Sequence, residues 1–323
     1  MKAKILDLYI IKKFLGTFLF AIGLIICIAV VFDISEKVDD FIERNAPLKA
    51  IAFDYYLNFI PYFANLFSPL FVFISVIFFT SKMAGQTEII AILNSGISFN
   101  RFLRPYIISA TVIAIASFYL NNWVIPHANL VRLQLENIYI KNPYVYRGRN
   151  NHRQIKPGEF VYFESYDNKA NTGFMFSIEK FEGGKLVTKL MADRITWDSL
   201  TQKWSIENYT IRNINGMTEE LKKGVRLDTT LSIHPSEFNR RMNFIEAMDF
   251  SELNNYIKEE KQRGSEVIPF YEVEKYRRTS YPFATFILTL IGVAISSKKV
   301  RGGLGFLLGA GILLSFNYFM IMQ

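Results

Sequence analysis

The sequence predicts a polytopic α-helical membrane protein with an antiparallel β domain inserted between two of its helices. The first observation is a set of five apolar segments of about 17–28 residues, each long enough for an α-helix to cross a bilayer. The second is a block of about 145 residues between the third and fourth segments, which has no such run and alternates apolar with polar residues as β-strands do. Because lipid offers no hydrogen-bonding partners to a backbone, we expect the apolar segments to be helices.

The predicted spans divide the chain into three parts. The spans cover residues 14–32, 53–80, 105–125, 281–297 and 304–322. The parts are helices 1–3 with a connecting loop 81–104 (1–125), the β domain (126–273), and helices 4 and 5 (274–323). An odd number of spans places the two termini on opposite sides of the membrane, and no charged anchor follows the fifth. We therefore expect a sixth helix in the full-length protein.

Basic residues in the short connections predict the orientation of the chain. They precede the first span and fill the connections between spans 2 and 3 and between spans 4 and 5: Lys2, Lys4, Lys12, Lys13, Lys82, Arg101, Arg104, Lys298, Lys299 and Arg301. Because short cytoplasmic loops carry an excess of Lys and Arg, we expect these connections and the N-terminus in the cytoplasm. The β domain then lies outside, which in a bacterial cell is the periplasm. The net charge of +8 is explained first in this way, so we expect no nucleic-acid partner.

The β domain shows short strands separated by turn residues. Residues 203–211 alternate apolar with polar side chains, and Gly183–Gly184 and Asn215–Gly216 indicate turns. Short strands at this spacing predict a sandwich or a jelly roll. A helix is expected from Ser251, which can cap it, to Gly264, which would end it.

The composition argues against several classes of function. The three histidines have no metal-ligand spacing and the single cysteine, Cys27, lies in an apolar segment, so we expect no metal and no cofactor. No phosphate-binding glycine loop is present, so ATP hydrolysis would need a separate protein. The spans are almost free of ionisable residues, which leaves no candidate catalytic residue and argues against a lipid-modifying membrane enzyme. A membrane-anchored periplasmic sensor is the other alternative, but the inner loops are too short for an output domain.

The loop 81–104 contains a short amphipathic segment. Its residues 87–93 can form a helix that begins near Glu88 and carries Ile89, Ile92 and Leu93 on one side. Such a helix can dock into a groove of an ATPase, or it can rest on lipid headgroups. Glu88 argues mildly against the second interpretation because inner leaflets are negatively charged.

Several segments make the sequence similar to a known family along nearly its whole length. These segments are 6–10, 87–98, 123–126, 277–278 ahead of Pro282, and 298–309. The chain resembles the lipopolysaccharide-export permeases, LptF and LptG. The resemblance implies six membrane helices, a periplasmic jelly roll, and pairing with a second permease subunit, the same or homologous. It also implies a cytoplasmic ATPase dimer docked at Glu88, Ile89, Ile92 and Leu93, and transfer of lipopolysaccharide from the inner membrane to a periplasmic bridge protein.

Two groups of cations are candidates for binding lipid phosphates. Lys37 and Arg44 are seven residues apart and so share a helical face, but Asp33 and Asp40 on that face could pair with them instead. The resemblance supports the phosphate interpretation, because the family's substrate enters beside helix 1. Arg277 and Arg278 form the second group, and part of their charge can be paired within their own helix at a spacing of four residues.

Small residues in the last apolar segment predict close helix packing. Gly305 and Gly309 form a GxxxG face, which lets two helix backbones approach closely. Most such faces are permanent packing surfaces. In the family that the sequence resembles, this helix forms a lateral gate with helix 1 of the partner subunit.

Overall fold

The computed structural model describes residues 5–140, 146, 148–238, 242–265 and 267–298, together with 305, 306, 309, 311–313 and 320. The chain forms two compact units. The helical unit comprises Met1–Ile140, Glu246–Phe250 and Val273–Gln323. The sheet unit comprises Lys141–Ile245 and Ser251–Glu272.

The helical unit is built from long apolar helices with short irregular turns. Its α-helices are α1 (Ile5–Glu43), α2 (Leu57–Gly85), α3 (Glu88–Asn94), α4 (Phe99–Tyr119) and α5 (Ile125–Tyr139). A π-helical turn, Ala50–Tyr56, precedes α2, and a second one, Leu120–Val124, joins α4 to α5. After α6 (Phe250–Arg263) in the sheet unit, α7 (Ile268–Ser280), the 3₁₀ turn Tyr281–Phe283 and α8 (Ala284–Ser296) follow.

Four described segments are long and apolar enough to span a membrane. They are Ile5–Glu43, Ala50–Gly85, Phe99–Tyr139 and Ile268–Ser296, and they contain the first four predicted spans except for the end of the fourth. The fifth predicted span, 304–322, lies mostly outside the described residues. Its described residues are helical. The prediction of a helical membrane protein with an inserted β domain is therefore confirmed.

The third helical segment is longer than the sequence predicts. We placed the start of the β domain at 126, but the chain stays helical through α5, and the sheet unit begins at Lys141. Pro126 does not end the helix because proline is tolerated in the first helical turn, where its missing N–H would have no partner. The preceding π-helical turn shifts the hydrogen-bond register at this point.

A single apolar cluster holds one end of the helical unit together. It contains buried residues of α1, α2, α3, α4 and α8: Ile10, Phe14, Val72, Val76, Phe79, Met83, Ala84, Ile89, Phe102, Tyr106, Ile113 and Val293. Phe79 and Tyr106 stack with ring centroids 5.3 Å apart. The hydroxyl groups of Tyr106 and Thr80 lie 3.0 Å apart, which satisfies both polar groups inside the bundle. We call this the α3 end of the helices.

The sheet unit contains one open six-stranded antiparallel sheet. Its strands are β1 (Arg149–Lys156), β2 (Glu159–Asp167), β3 (Thr172–Glu182), β4 (Lys185–Asp198), β5 (Lys203–Asn215) and β6 (Thr218–Thr229). Each strand pairs with the next in sequence order. A jelly roll would need strands that cross between two sheets, so the jelly-roll connectivity is not confirmed. Short turns explain the observed order, since they make consecutive strands pair locally, as at Gly183 and Gly184 with positive φ.

The core of the sheet unit is aromatic and closes against the segment that follows β6. Trp204 is buried, and its indole N–H donates to the carbonyl of Ile233 at 2.9 Å. Glu237 accepts hydrogen bonds from Arg153 of β1 at 3.0 Å and from Arg263 of α6 at 2.7 Å. The helix predicted from Ser251 is present as α6. It begins one residue earlier than predicted, at Phe250, and ends at Arg263, directly before Gly264, where φ is +68°.

Candidate functional site

Helix α3 lies on the α3 end of the helical unit and presents two different sides. Ile89 is buried, and Ile92 and Leu93 are half-buried against the apolar cluster of the α3 end. These three residues were predicted to contact an ATPase, but the structure places them against the chain's own core. The reason is that a seven-residue helix has one apolar stripe, and that stripe holds it to the bundle. Ile90, which is 54% exposed, carries the apolar surface on the other side.

Glu88 begins α3 and contacts helix α1. Its Oε2 accepts a hydrogen bond from the Tyr9 hydroxyl at 3.3 Å. The ammonium group of Lys13 lies 5.8 Å from the centre of the Tyr9 ring. Thr87, directly before Glu88, has φ of +61°, a strained value for a β-branched residue. The turn between α2 and α3 is therefore held in an unfavourable conformation by the contacts on either side of it.

An ion pair that the sequence did not reveal joins α1 to α4. Both guanidinium Nη atoms of Arg101 donate to the Asp7 carboxylate, at 2.7 and 2.6 Å. Asp7 is only 8% exposed. A bidentate contact of this kind fixes both the distance and the relative angle of its two groups. The only sequence signal was an acidic residue among the lysines of the N-terminus.

The opposite end of α1 carries a second polar cluster, which includes Lys37. The Lys37 ammonium donates to Asp33 Oδ1 at 2.6 Å and to the Tyr55 hydroxyl, and it lies 5.0 Å from the centre of the Tyr55 ring. The Tyr56 hydroxyl donates to Asp33 Oδ2 at 3.1 Å. Lys37 thus pairs with Asp33, as one interpretation proposed, and with a tyrosine that the sequence did not suggest. Arg44 donates from Nη1 to the carbonyl of Ile138 at 3.4 Å.

Arg277 and Arg278 differ in how fully the chain engages them. The Arg278 guanidinium is buried, donating from Nε to Glu274 at 3.0 Å and from Nη1 to the carbonyl of Met248 at 2.6 Å. Arg277 shares the Glu274 carboxylate at 2.5 Å, but its side chain is 48% exposed. Both line a cavity of about 60 Å³ in the helical unit, beside Tyr62 and Asn121. Arg277 is the more exposed of the two, so it can reach a ligand more readily than Arg278.

A buried ionic cluster near this cavity was missed because its residues lie in α5, which was assigned to the β domain. Arg132 contacts Glu136 at 3.0 Å and Asn129 at 3.2 Å, and Glu246 lies 3.9 Å from it. The Arg132 guanidinium also lies 5.3 Å from the centre of the Tyr62 ring. Burial raises the pKa of the Glu246 carboxyl, and the nearby Arg132 charge opposes that rise.

The predicted glycine face makes no described contact within the chain. Gly305 and Gly309 are helical and exposed, and no described atom lies within 4 Å of a Cβ built on either residue. Close packing against α2 instead involves two other glycines. A Cβ on Gly292 would lie 2.9 Å from Val76, and one on Gly311 would lie 2.5 Å from Ile77.

Comparison with known protein families covers both units of this structure. The family model described as lipopolysaccharide export system permease LptF/LptG matches residues 8–323. The chain belongs to this permease family. A search of curated proteins found no match. The permease is thus a multi-pass membrane transport subunit, and α3, the Asp7–Arg101 pair and both cationic groups lie within the matched range or one residue from its start.

Proposed function

We propose that the permease is one subunit of an ATP-driven exporter that extracts lipopolysaccharide from the bacterial inner membrane. It pairs with a second permease subunit, the same or homologous, on a cytoplasmic ATPase dimer, and it passes the lipid to a periplasmic bridge protein. The family match over nearly the whole chain supports this most strongly. The basic short connections support an orientation with α3 in the cytoplasm and the sheet unit in the periplasm.

The ATPase contact is proposed on the exposed side of α3. Ile90 and the exposed Asn94, four residues apart, share the exposed side of α3, and Glu88 adds an acidic group where the helix begins, so this part of α3 offers a small surface with an apolar side chain and an acidic end. A partner groove with an apolar floor and a cation at one side would complement it. Ile89, Ile92 and Leu93 support the docking surface from behind by holding α3 on the bundle.

Lipid phosphates are proposed to bind at Arg277 and at Lys37 with Arg44. Arg277 is half-exposed, and its planar guanidinium matches the geometry of a phosphate. Lys37 keeps its pair with Asp33, so it would contribute mainly by offering its remaining donor capacity to a second anion. Arg278 holds Glu274 and the carbonyl of Met248, and we assign it a supporting role for Arg277.

Purification with identification of bound proteins separates this function from its two alternatives. An exporter subunit should co-purify with an ATPase and carry lipopolysaccharide. A sensor should bring no ATPase, and a lipid-modifying enzyme should change its lipid covalently, which mass spectrometry detects. Recovery of the intact permease without any ATPase or lipopolysaccharide would contradict the proposal.

Paired substitutions in α3 test where the ATPase binds. Ile90→Ala should lower the amount of co-purifying ATPase severalfold and leave the thermal stability of the permease unchanged, since the side chain contacts no core. Ile89→Ala is the matched control on the buried side, and it should lower thermal stability instead. Equal ATPase recovery from Ile90→Ala and the unaltered permease would place the docking surface elsewhere.

A further inference from the structure

Helix α1 is the one regular rod among the four spans that the structure describes. It runs for 39 residues, roughly 60 Å, from Ile5 to Glu43. Each of the other three described spans contains a π-helical or 3₁₀ turn, namely Ala50–Tyr56, Leu120–Val124 and Tyr281–Phe283. Interruptions of this kind are places where a helix bends. A continuous helix instead carries a displacement at one end to the other.

The rod is attached at the α3 end by two polar contacts and by packing. Tyr9 donates to Glu88, which begins α3. Asp7 accepts both bonds from Arg101, in the first turn of α4. Ile10 lies in the same apolar cluster as Ile89 of α3, so the N-terminal turns of α1 form part of the surface on which α3 sits.

At its other end the rod is attached to an irregular turn. Asp33 accepts from Lys37 and from Tyr56, and Tyr56 belongs to the π-helical turn before α2. In its middle, α1 has little support within the chain. Only 17% of its most apolar window is buried, whereas the other described spans have 39–56% buried. A helix held at both ends and only lightly packed along its middle can shift as a unit.

We propose that Asp7 and Arg101 are positioning residues that make α1 a lever driven by α3. The ion pair ties the first turn of α1 to α4 and so keeps the neighbouring Tyr9 and Ile10 in place against α3. A displacement of α3 by the docked ATPase then reaches the opposite end of α1, where Lys37 lies. The inference rests on the proposed function, because it is the ATPase that moves α3. A bidentate pair suits this role, since it resists both separation and rotation, as a single hydrogen bond does not.

Lipid transport per ATP tests the lever in the complete complex with its ATPase. Asp7→Asn should lower the lipopolysaccharide released per ATP at least fivefold, while the bound ATPase and its hydrolysis rate stay within twofold of the unaltered complex. The charge exchange Asp7→Arg with Arg101→Asp should restore release to within twofold. Arg104→Ala is the matched control, an exposed arginine on the same helix, and should have no effect.

A distance measurement separates the lever from a purely structural ion pair, because loss of a structural pair would not abolish a distance change that depends on ATP. Spin labels at Glu36 on α1 and at Trp123 on the π-helical turn, in a Cys27→Ser chain, should show a distance that changes between nucleotide-free and ATP-bound complexes. In Asp7→Asn that change should be lost. Should Asp7→Asn not accumulate, Arg101→Lys decides, since it keeps the charge and loses the bidentate geometry. An intermediate release per ATP supports the lever, and unaltered release overturns it.

Three further outcomes overturn the inference in distinguishable ways. If the unaltered complex releases lipid with ATP and Asp7→Asn does so equally, or keeps its distance change, only the lever is wrong. If lipid release falls only as far as thermal stability falls, in Asp7→Asn and in the charge exchange alike, the pair serves stability alone. If the unaltered complex releases no lipid with ATP, the proposed function and the lever both fail.

Discussion

The two ends of helix α1 use acidic residues in opposite ways. Asp7 binds Arg101, which is 94 residues away in the sequence and belongs to another helix. Asp33 binds Lys37, four residues away on the same helix, and tyrosine hydroxyl groups of the next one. The first arrangement ties helices together through charge. The second satisfies its charges with neighbouring groups, and its cation, Lys37, belongs to the proposed lipid-phosphate site.

The largest expected difference between the two ends is in stability. Arg101→Ala leaves the buried Asp7 carboxylate without its bidentate partner, so it should lower the free energy of unfolding more than the loss of Lys37 does. Lys37→Ala leaves Asp33 with the Tyr56 hydroxyl, so its cost should be about 1 kcal/mol. Unfolding of the purified permease in a detergent titration measures both. Equal costs would mean that the two ends do not differ in the way the contacts indicate.

The glycines allow a similar comparison, between one that is packed within the chain and two that are exposed. Gly292→Leu places bulk against Val76 of α2 and should cost about 2 kcal/mol. A Cβ at Gly305 or Gly309 would meet no described atom, so Gly305→Leu with Gly309→Leu should leave abundance unchanged. If the pair forms a moving gate, the double variant should bind its ATPase and hydrolyse ATP without retaining lipid. Loss of abundance in the double variant would instead mark static packing.

Charge reversal at the Lys37 end of α1 tests whether its cations bind lipid or serve the structure. Lys37→Asp with Arg44→Asp should lower crosslinking of lipopolysaccharide severalfold more than it lowers the amount of permease. Lys49→Asp, at an exposed position 12 residues after Lys37, controls for a general effect of surface charge. Crosslinking that falls only as far as the protein amount would favour a purely structural role.

The smallest effect concerns the strained turn before α3. Thr87→Gly should raise stability by about 1 kcal/mol, since glycine adopts a positive φ without the penalty of a β-branched residue. Thr111→Gly, a substitution of the same residue type in the regular helix α4, should lower stability by a similar amount. Thermal unfolding of both variants measures these two changes in stability. A loss of stability in Thr87→Gly would show that the threonine hydroxyl bond to the Gln86 carbonyl outweighs the strain.

The sequence predicts the helices far better than their contacts. Four spans follow from apolar length alone, because a bilayer requires about 20 apolar residues in each helix. The turns at Gly183–Gly184 and Gly216 likewise follow from local chemistry, since these positions have positive φ. Local patterns failed at Pro126, where a proline that begins α5 looks the same as one that ends a helix.

Contacts between distant residues were the part that no local pattern could supply. The Asp7–Arg101 pair joins residues with no shared periodicity, and Arg132 lies in a segment that was assigned to the wrong unit. The apolar side of α3 was visible in the sequence, but the pattern does not distinguish packing on the chain's own bundle from packing on a partner. Only the positions of Ile89 and Ile90 in the structure separate those two sides.

The most direct test of the account is ATP-driven release of lipopolysaccharide from proteoliposomes that contain the permease with its ATPase. The unaltered complex should release lipid to an acceptor only with hydrolysable ATP. Glu88→Lys should fold and insert, yet lower both ATPase binding and release at least tenfold, because the reversed charge repels the partner's cation. Normal release by Glu88→Lys would contradict docking at α3, and no ATP-dependent release by the unaltered complex would contradict the proposed function itself.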